Sequence, residues 1–148
     1  MNFGSSFGIS ASALTAQRLR MDVISSNIAN AETTRASVVD GKAVPYRRKL
    51  VVLESKQNDS FSNILHSKMN GGTEGVSVKS IIEDSSPLKP VYNPTHPDAD
   101  ENGYVYMPNV DVTKEMVDMI SASRSYEANV TMLNASKAMV SKALEIGK

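Results

Sequence analysis

TKEMVDMISASRSYEANVTMLNASKAMVSKALEIG, residues 113–147, contains no proline and carries its one glycine at the very end. Met116, Met119, Tyr126, Val130, Leu133, Val140 and Leu144 follow heptad spacing, which sets them along one side of an α-helix, with Ser123 and Lys137 as polar interruptions. At ~1.5 Å per residue the stretch predicts a helix roughly 50 Å long. Asp111 or Thr113 can cap its start, and Glu115 complements the positive end of its dipole. Lys142 and Lys148 sit near the negative end.

The opposite end of the chain shares the period. From about Ser6 to Ala31, Phe7, Leu14, Met21 and Ile28 recur at heptad spacing, Ile24 and Ala31 hold companion slots, and Ser10 and Gln17 fill the others. Two helices of one period can lie alongside each other as a coiled-coil-like pair. The residues between them lose that period. Tyr46–Leu53 (YRRKLVVL) and Val76–Ile82 (VSVKSII) read as strands, and Tyr104–Met107 as a short third. The stretch from about 54 to 75, rich in Ser, Asn and Lys and holding Gly71-Gly72, reads as a flexible loop. Pro87, Pro90, Pro94 and Pro97 then allow only short extended pieces and turns. The expected fold is therefore α+β: a terminal helical assembly domain from 1–32 and 109–148, with a small β-rich insert at 33–108.

Composition removes several chemistries. The 16 Lys and Arg balance 16 Asp and Glu, so the basic surplus typical of nucleic-acid binders is missing, and self-repulsion that would oppose association is weak. Aromatics are 5% with no Trp, which argues against a base-stacking surface. The chain has no Cys, so thiol catalysis, disulfides and Cys-based zinc sites are out. No run approaches the ~20 apolar residues of a transmembrane span. Phe7–Ala16 is mildly apolar, but it lacks a basic start and is broken by Ser10 and Ser12, so no cleaved signal peptide is expected.

Three local patterns invite a site reading. Asp98, Asp100 and Asn102, with Gly103, match the opening of a calcium-binding EF-hand loop. The twelfth position, however, is Asn109 instead of a bidentate Glu, and Pro94 and Pro97 oppose the entering helix. His66 and His96 each lack a second nitrogen ligand nearby and read as surface residues. Tyr46-Arg47-Arg48-Lys49, the densest basic run, reads as a solvated edge strand whose charges split between two faces, with contact to an anionic polymer as a lesser reading. Nothing matches a nucleophile elbow or a phosphate-cradling loop, so no enzyme and no cofactor is expected.

The helices themselves carry many Ala and Ser. Ordering some sixty residues costs roughly 1–2 kcal/mol each, and so little apolar area offsets it poorly. The two ends are thus expected to be weakly ordered in a lone subunit and to gain their burial among other subunits.

The run Ser25-Ser26-Asn27-Ile28-Ala29-Asn30-Ala31-Glu32-Thr33-Thr34 resembles the SxNIANxxT signature near the N-terminus of flagellar rod and hook proteins. Met119-Ile120-Ser121-Ala122-Ser123-Arg124-Ser125-Tyr126-Glu127-Ala128-Asn129-Val130 is similar to that family's C-terminal signature. His96-Pro97-Asp98-Ala99-Asp100, Gly103-Tyr104-Val105 and Met107-Pro108-Asn109-Val110-Asp111 resemble its proximal-rod type, as does Thr34-Arg35 where many members carry Thr-Pro-Gly-Tyr. The resemblance implies a structural subunit of the bacterial flagellar basal body. It implies export through the flagellar type III apparatus without a cleaved signal, and polymerisation outside the cytoplasm into the hollow drive shaft. It further implies partners among copies of the same chain, proximal and distal rod subunits and a basal-body adaptor protein. On that reading the assembly interface comprises Leu14, Met21, Ile24, Asn27, Ile28 and Asn30 on the first helix, with Met119, Tyr126, Asn129, Val130, Leu133 and Leu144 on the last. A monomeric helical adaptor, or a binding module built on the 98–102 loop, is the alternative from a different class.

Overall fold

The computed structural model describes residues 3–39, 42–56 and 75–146. Helix α1 spans Phe3–Ala29 and helix α2 spans Val112–Ile146. Between them lie β1 (Ser37–Val39), β2 (Lys42–Val44), β3 (Lys49–Lys56), β4 (Gly75–Glu83), β5 (Lys89–Tyr92) and β6 (Tyr104–Met107). The strands pair as three antiparallel hairpins, β1–β2, β3–β4 and β5–β6. The α+β class is as expected from the sequence.

Helix α2 begins where Asp111 caps it: Oδ1 accepts from the backbone N–H groups of Thr113 (3.0 Å) and Lys114 (3.3 Å), covering donors that no helical carbonyl can reach. Helix α1 ends in a tightened turn. There Asn30 donates its amide back to the Ser26 carbonyl (2.8 Å), and Thr33 Oγ1 donates to Asn30 Oδ1 (3.3 Å).

The two helices pack against each other, and α1 also packs on β3–β4. That second neighbour changes which residues are inside. Leu14, Met21 and Ile28 are only half-buried, while Ala16, Val23, Ile24 and Asn27 are buried. An arc wide enough to serve two neighbours replaces the single expected stripe. On α2, Met119, Tyr126, Leu133 and Val140 are half-buried as the heptad reading places them, but the companion row is shifted by one residue. Glu115, Ala122 and Ser136 are buried, with Asn129 half-buried between them, whereas Met116 is 49% and Leu144 70% exposed. Apolar character pointed to 116 and 144. At 122 and 136 the inner row takes small side chains, which let the helices approach closely, and at 115 it takes a carboxylate that enters a polar junction.

Strand β3 continues through Glu54, Ser55 and Lys56, and β4 begins at Gly75, so the strands extend into both ends of the expected loop; residues 57–74 lie outside the described region. The β3 start is also later than expected, at Lys49 and not Tyr46. The β3–β4 register steps between Val52↔Ser80 and Leu53↔Val78, leaving Lys79 as an extra residue in β4. Hairpin β1–β2 was not read from the sequence, although Asp40-Gly41 between two β-branched runs is a hairpin signal. Strand β5 contains Pro90, tolerated because among the described residues β5 pairs with β6 alone.

Gly75 sits where β4 meets α1. A Cβ there would stand 2.8 Å from Ser12 Oγ, which accepts from the Val76 N–H (3.1 Å) and donates to the Ile9 carbonyl (2.7 Å). Gly75→Ala should destabilise the chain by about 1 kcal/mol, since Ser12 must turn away from at least one bond. In a Ser12→Ala background the same change should cost nothing. Urea denaturation of the four proteins of this cycle measures the coupling.

Candidate functional site

The site is a junction between α1, the start of β3 and the first turn of α2, and Asn27 stands at its centre, 1% exposed. Its Nδ2 donates to the Lys49 carbonyl (2.9 Å) and to Glu115 Oε2 (3.0 Å). Its Oδ1 accepts from Tyr46 Oη (2.9 Å) and from the Lys49 N–H (2.9 Å). Two donors and two acceptors exhaust what a carboxamide can offer, so the orientation of this side chain is fixed by its partners. Asn27 was expected at an interface between subunits. It is instead an interior residue of its own chain.

The second member is Arg48. Its Nε donates to Glu115 Oε1 at 2.6 Å, its Nη1 reaches Asp84 Oδ2 at 3.5 Å, and its Nη2 lies 3.7 Å from Asp118. Burial alone would lower the Arg48 pKa, but the bond to Glu115 and the charges of Glu115 and Asp84 outweigh it and raise the pKa above the ordinary arginine value. Glu115, also 1% exposed, therefore has a cation on one oxygen and the Asn27 amide on the other. A buried carboxylate needs both kinds of partner to offset its lost hydration. The basic run 46–49 is consequently not a solvated edge strand: Tyr46 is buried and Arg48 is held within the junction.

Asn109 ties in the next element. Its Oδ1 accepts from the Arg48 N–H (2.8 Å), and its Nδ2 donates to the carbonyls of Asp84 and Ser86, both at 3.2 Å. Asp84 is held below the usual carboxylate range by the hydroxyl and N–H of Ser86, with Arg48 adding to the effect.

The acidic turn at 98–102 is a structural part of β5–β6. Asp98 accepts from Thr34 Oγ1 (2.9 Å) and pairs with Arg35, and Asp100 Oδ1 accepts from the N–H groups of Asn102 (2.9 Å) and Tyr104 (3.0 Å). Gly103, at φ 78°, closes the turn in a conformation that side chains disfavour. Asp98 and Asp100 thus already hold partners from the chain, and no group of three His, Asp or Glu side chains among the described residues is placed to hold a metal ion. His96 is half-buried, its Nδ1 accepting from the Asp98 N–H (3.1 Å); His66 lies outside the described residues.

Of the remaining interface candidates, Asn30 and Asn129 bond back to backbone carbonyls one turn earlier, Ser26 and Ser125. Ile24 is buried, and Leu14, Met21, Ile28, Met119, Tyr126, Val130 and Leu133 are half-buried; only Leu144 is largely free. The sequence reading missed Arg48, Glu115, Tyr46 and Asn109 as one cluster. No spacing rule links residues 27, 48, 109 and 115, because the fold alone brings them together.

A family model described as Flagella basal body rod protein matches residues 7–36, and one described as Flagellar basal body rod FlgEFG protein C-terminal matches residues 101–146. Three curated relatives share the name Flagellar basal-body rod protein FlgC. That of Bacillus subtilis is 61% identical over 97% of both chains. That of Borreliella burgdorferi is 48% identical over 99% of this chain and 98% of its own, and that of Salmonella typhimurium 46% identical over 96% of both.

Asn27→Ala should destabilise the chain by about 3 kcal/mol or more, because it leaves the Lys49 backbone and Glu115 without their partners in a buried place. Asn27→Asp should be no better tolerated, since it sets a second carboxylate against Glu115; denaturant midpoints report both. For Asp98, hydrogen bonds from Arg35 and Thr34 hold the pKa below its ordinary value. The stabilisation is therefore complete above the unfolded-state carboxylate pKa of about 3.9 and is lost as pH falls through the lower folded value. Amide protection in the β5–β6 turn should persist at pH 5 and fall in stronger acid, and Asp98→Asn should weaken it at neutral pH.

Proposed function

The chain belongs to the family of flagellar basal-body rod proteins, and from this we infer that its helices carry the contacts by which rod subunits join. It is a structural subunit of the flagellar basal-body rod, and its role is in motility. The finer reading is that it polymerises as part of the proximal rod, outside the cytoplasm, after export through the flagellar type III apparatus without a cleaved leader. Its neighbours are further copies, other proximal and distal rod subunits and a basal-body adaptor protein. No helix among the described residues is long and apolar enough to cross a membrane.

One observation carries the assembly reading: α2 exposes large apolar side chains on the side away from α1. One side packs on α1, while on the other Met116, Val117, Ile120, Met132 and Met139 are exposed. The row runs as two groups, Met116, Val117 and Ile120 and then Met132 and Met139, with the exposed Arg124–Glu127 pair between them, and clustered exposed apolar side chains of this kind mark interaction surfaces. Burial of that row against neighbouring helices, in a coiled-coil-like arrangement with α1 as the inner partner, supplies the apolar area that the Ala- and Ser-rich pair lacks. The intramolecular node at Asn27 then holds the two helices as one unit while their outer surfaces find partners.

Ile120→Asp combined with Met132→Asp tests this. Both side chains are exposed, so the isolated variant should keep the wild-type helix content, and its unfolding free energy from urea denaturation should stay within about 1 kcal/mol, about 0.5 for each change. Cells carrying it should not swim, and their isolated basal bodies should lack the protein. Normal swimming with the variant present in the rod would overturn the assembly reading.

A further inference from the structure

A groove of about 430 Å³ runs between α1 and the β3–β4 hairpin. Val23, Ile81 and Ile82 give it an apolar lining. Val23 is buried, but Ile81 and Ile82 stand 47% and 46% exposed, so the groove leaves two large apolar side chains open to water. A space of about 150 Å³ already admits a benzene-sized group, so a branched aliphatic side chain fits here with room beside it.

The charges of the groove are unspent. Asp22 enters it from α1 and Glu83 from β4, and both are exposed. Neither carboxylate takes part in an ion pair among the described residues. Lys49 also lines the groove and stands opposite Glu83 in the β3–β4 ladder. Its ammonium lies over the Tyr46 ring instead, 5.7 Å from the centroid, where the ring face attracts it. Two carboxylates against one ammonium leave the groove acidic. The junction at Asn27 differs, because its carboxylates already meet arginines: Glu115 meets Arg48, and Asp118 faces Arg20 and Arg48.

An apolar groove with free carboxylates on both sides is complementary to an aliphatic side chain with a cation beside it. A helix presents that pair on one face, one turn apart. Were the helix supplied by a further copy of this chain, the contact would be heterologous and would repeat from copy to copy. A rod of successive, different subunits needs contacts that pass from one kind of chain to the next.

We propose that the groove between α1 and β3–β4 receives a helix of a different rod subunit. An aliphatic side chain of that helix packs on Val23, Ile81 and Ile82, and a Lys or Arg one turn away bonds Asp22 or Glu83. The inference rests on the rod reading and adds to it a docking surface apart from α2, together with the chemistry of its occupant.

A benzophenone amino acid in place of Ile82 tests it: cells are irradiated, basal bodies isolated and the adduct peptide identified by mass spectrometry. An adduct to a different chain, at an aliphatic residue one helical turn from a Lys or Arg, supports the proposal. The labelled chain present in the rod without an adduct, or joined to itself, to another copy or to a segment with no such cation, overturns the docking while leaving the rod reading intact. Absence of the wild-type protein from basal bodies sinks both. A charge test covers a label that keeps the chain out of the rod. It combines Asp22→Lys with Glu83→Gln, glutamine being chosen because a second Lys would face Lys49 across the ladder. This variant should keep the helix content of the isolated chain and reduce swimming about tenfold. Its swimming revertants, back-mutations aside, should replace a Lys or Arg of another rod subunit by an acid. Wild-type swimming, or revertants confined to this chain, would overturn the proposed pairing.

Discussion

A single carboxamide, fully engaged, fastens three elements that the chain delivers from distant positions. Asn27 comes from the last turns of α1, Lys49 from the start of β3 and Glu115 from the first turn of α2. Because each of its bonds uses a different donor or acceptor, no other rotamer and no other short polar residue reproduces the set. Glu115 can be buried only because Asn27 and Arg48 receive it, and Arg48 in turn holds the strand-connecting segment through Asp84. Asn27 and Glu115 are each 1% exposed, so removing one member leaves buried polar atoms of the others without partners, and for that reason the node behaves as a unit.

Away from the node the helix pair is held by different means. Ala16, Ala122 and Ser136 are among its buried residues, so the helices meet across small side chains that contribute modest apolar area. Gln17 Oε1 is buried there without a hydrogen-bond partner among the described residues. The contrast sets a gradient along the pair. The end near Asn27 is specified by directional bonds, and the opposite end by close approach alone. Met132, Met139 and Leu144, exposed on the far part of α2, belong to the weakly specified end, where neighbouring subunits have most to add.

The heptad periods made both helices legible, and Asp111 and Glu115 marked the start of the second. What the periods did not reveal was orientation. On α1 the second packing neighbour, β3–β4, pulled the buried arc away from Leu14 and Met21. On α2 the inner row took Ala122 and Ser136 over the more apolar Met116 and Leu144. Hydrophobicity ranks residues by their affinity for an interior, but close helix contact selects for size. The node was illegible for a different reason: Arg48 sits in a run that looks solvent-facing, and its acid partners are 36 and 67 positions away in sequence. The SxNIANxxT run did single out Asn27, though as a matter of resemblance; its chemistry became visible only with Tyr46, Lys49 and Glu115 around it.

The insert is built as three separate two-stranded hairpins, and among the described residues no ladder bond joins one to another. The links between hairpins are side-chain contacts such as Thr34 and Arg35 on Asp98, or Asn109 on Arg48, which can lengthen and recover. Each ladder can therefore keep its backbone bonds while the side-chain contacts between hairpins open and re-form separately.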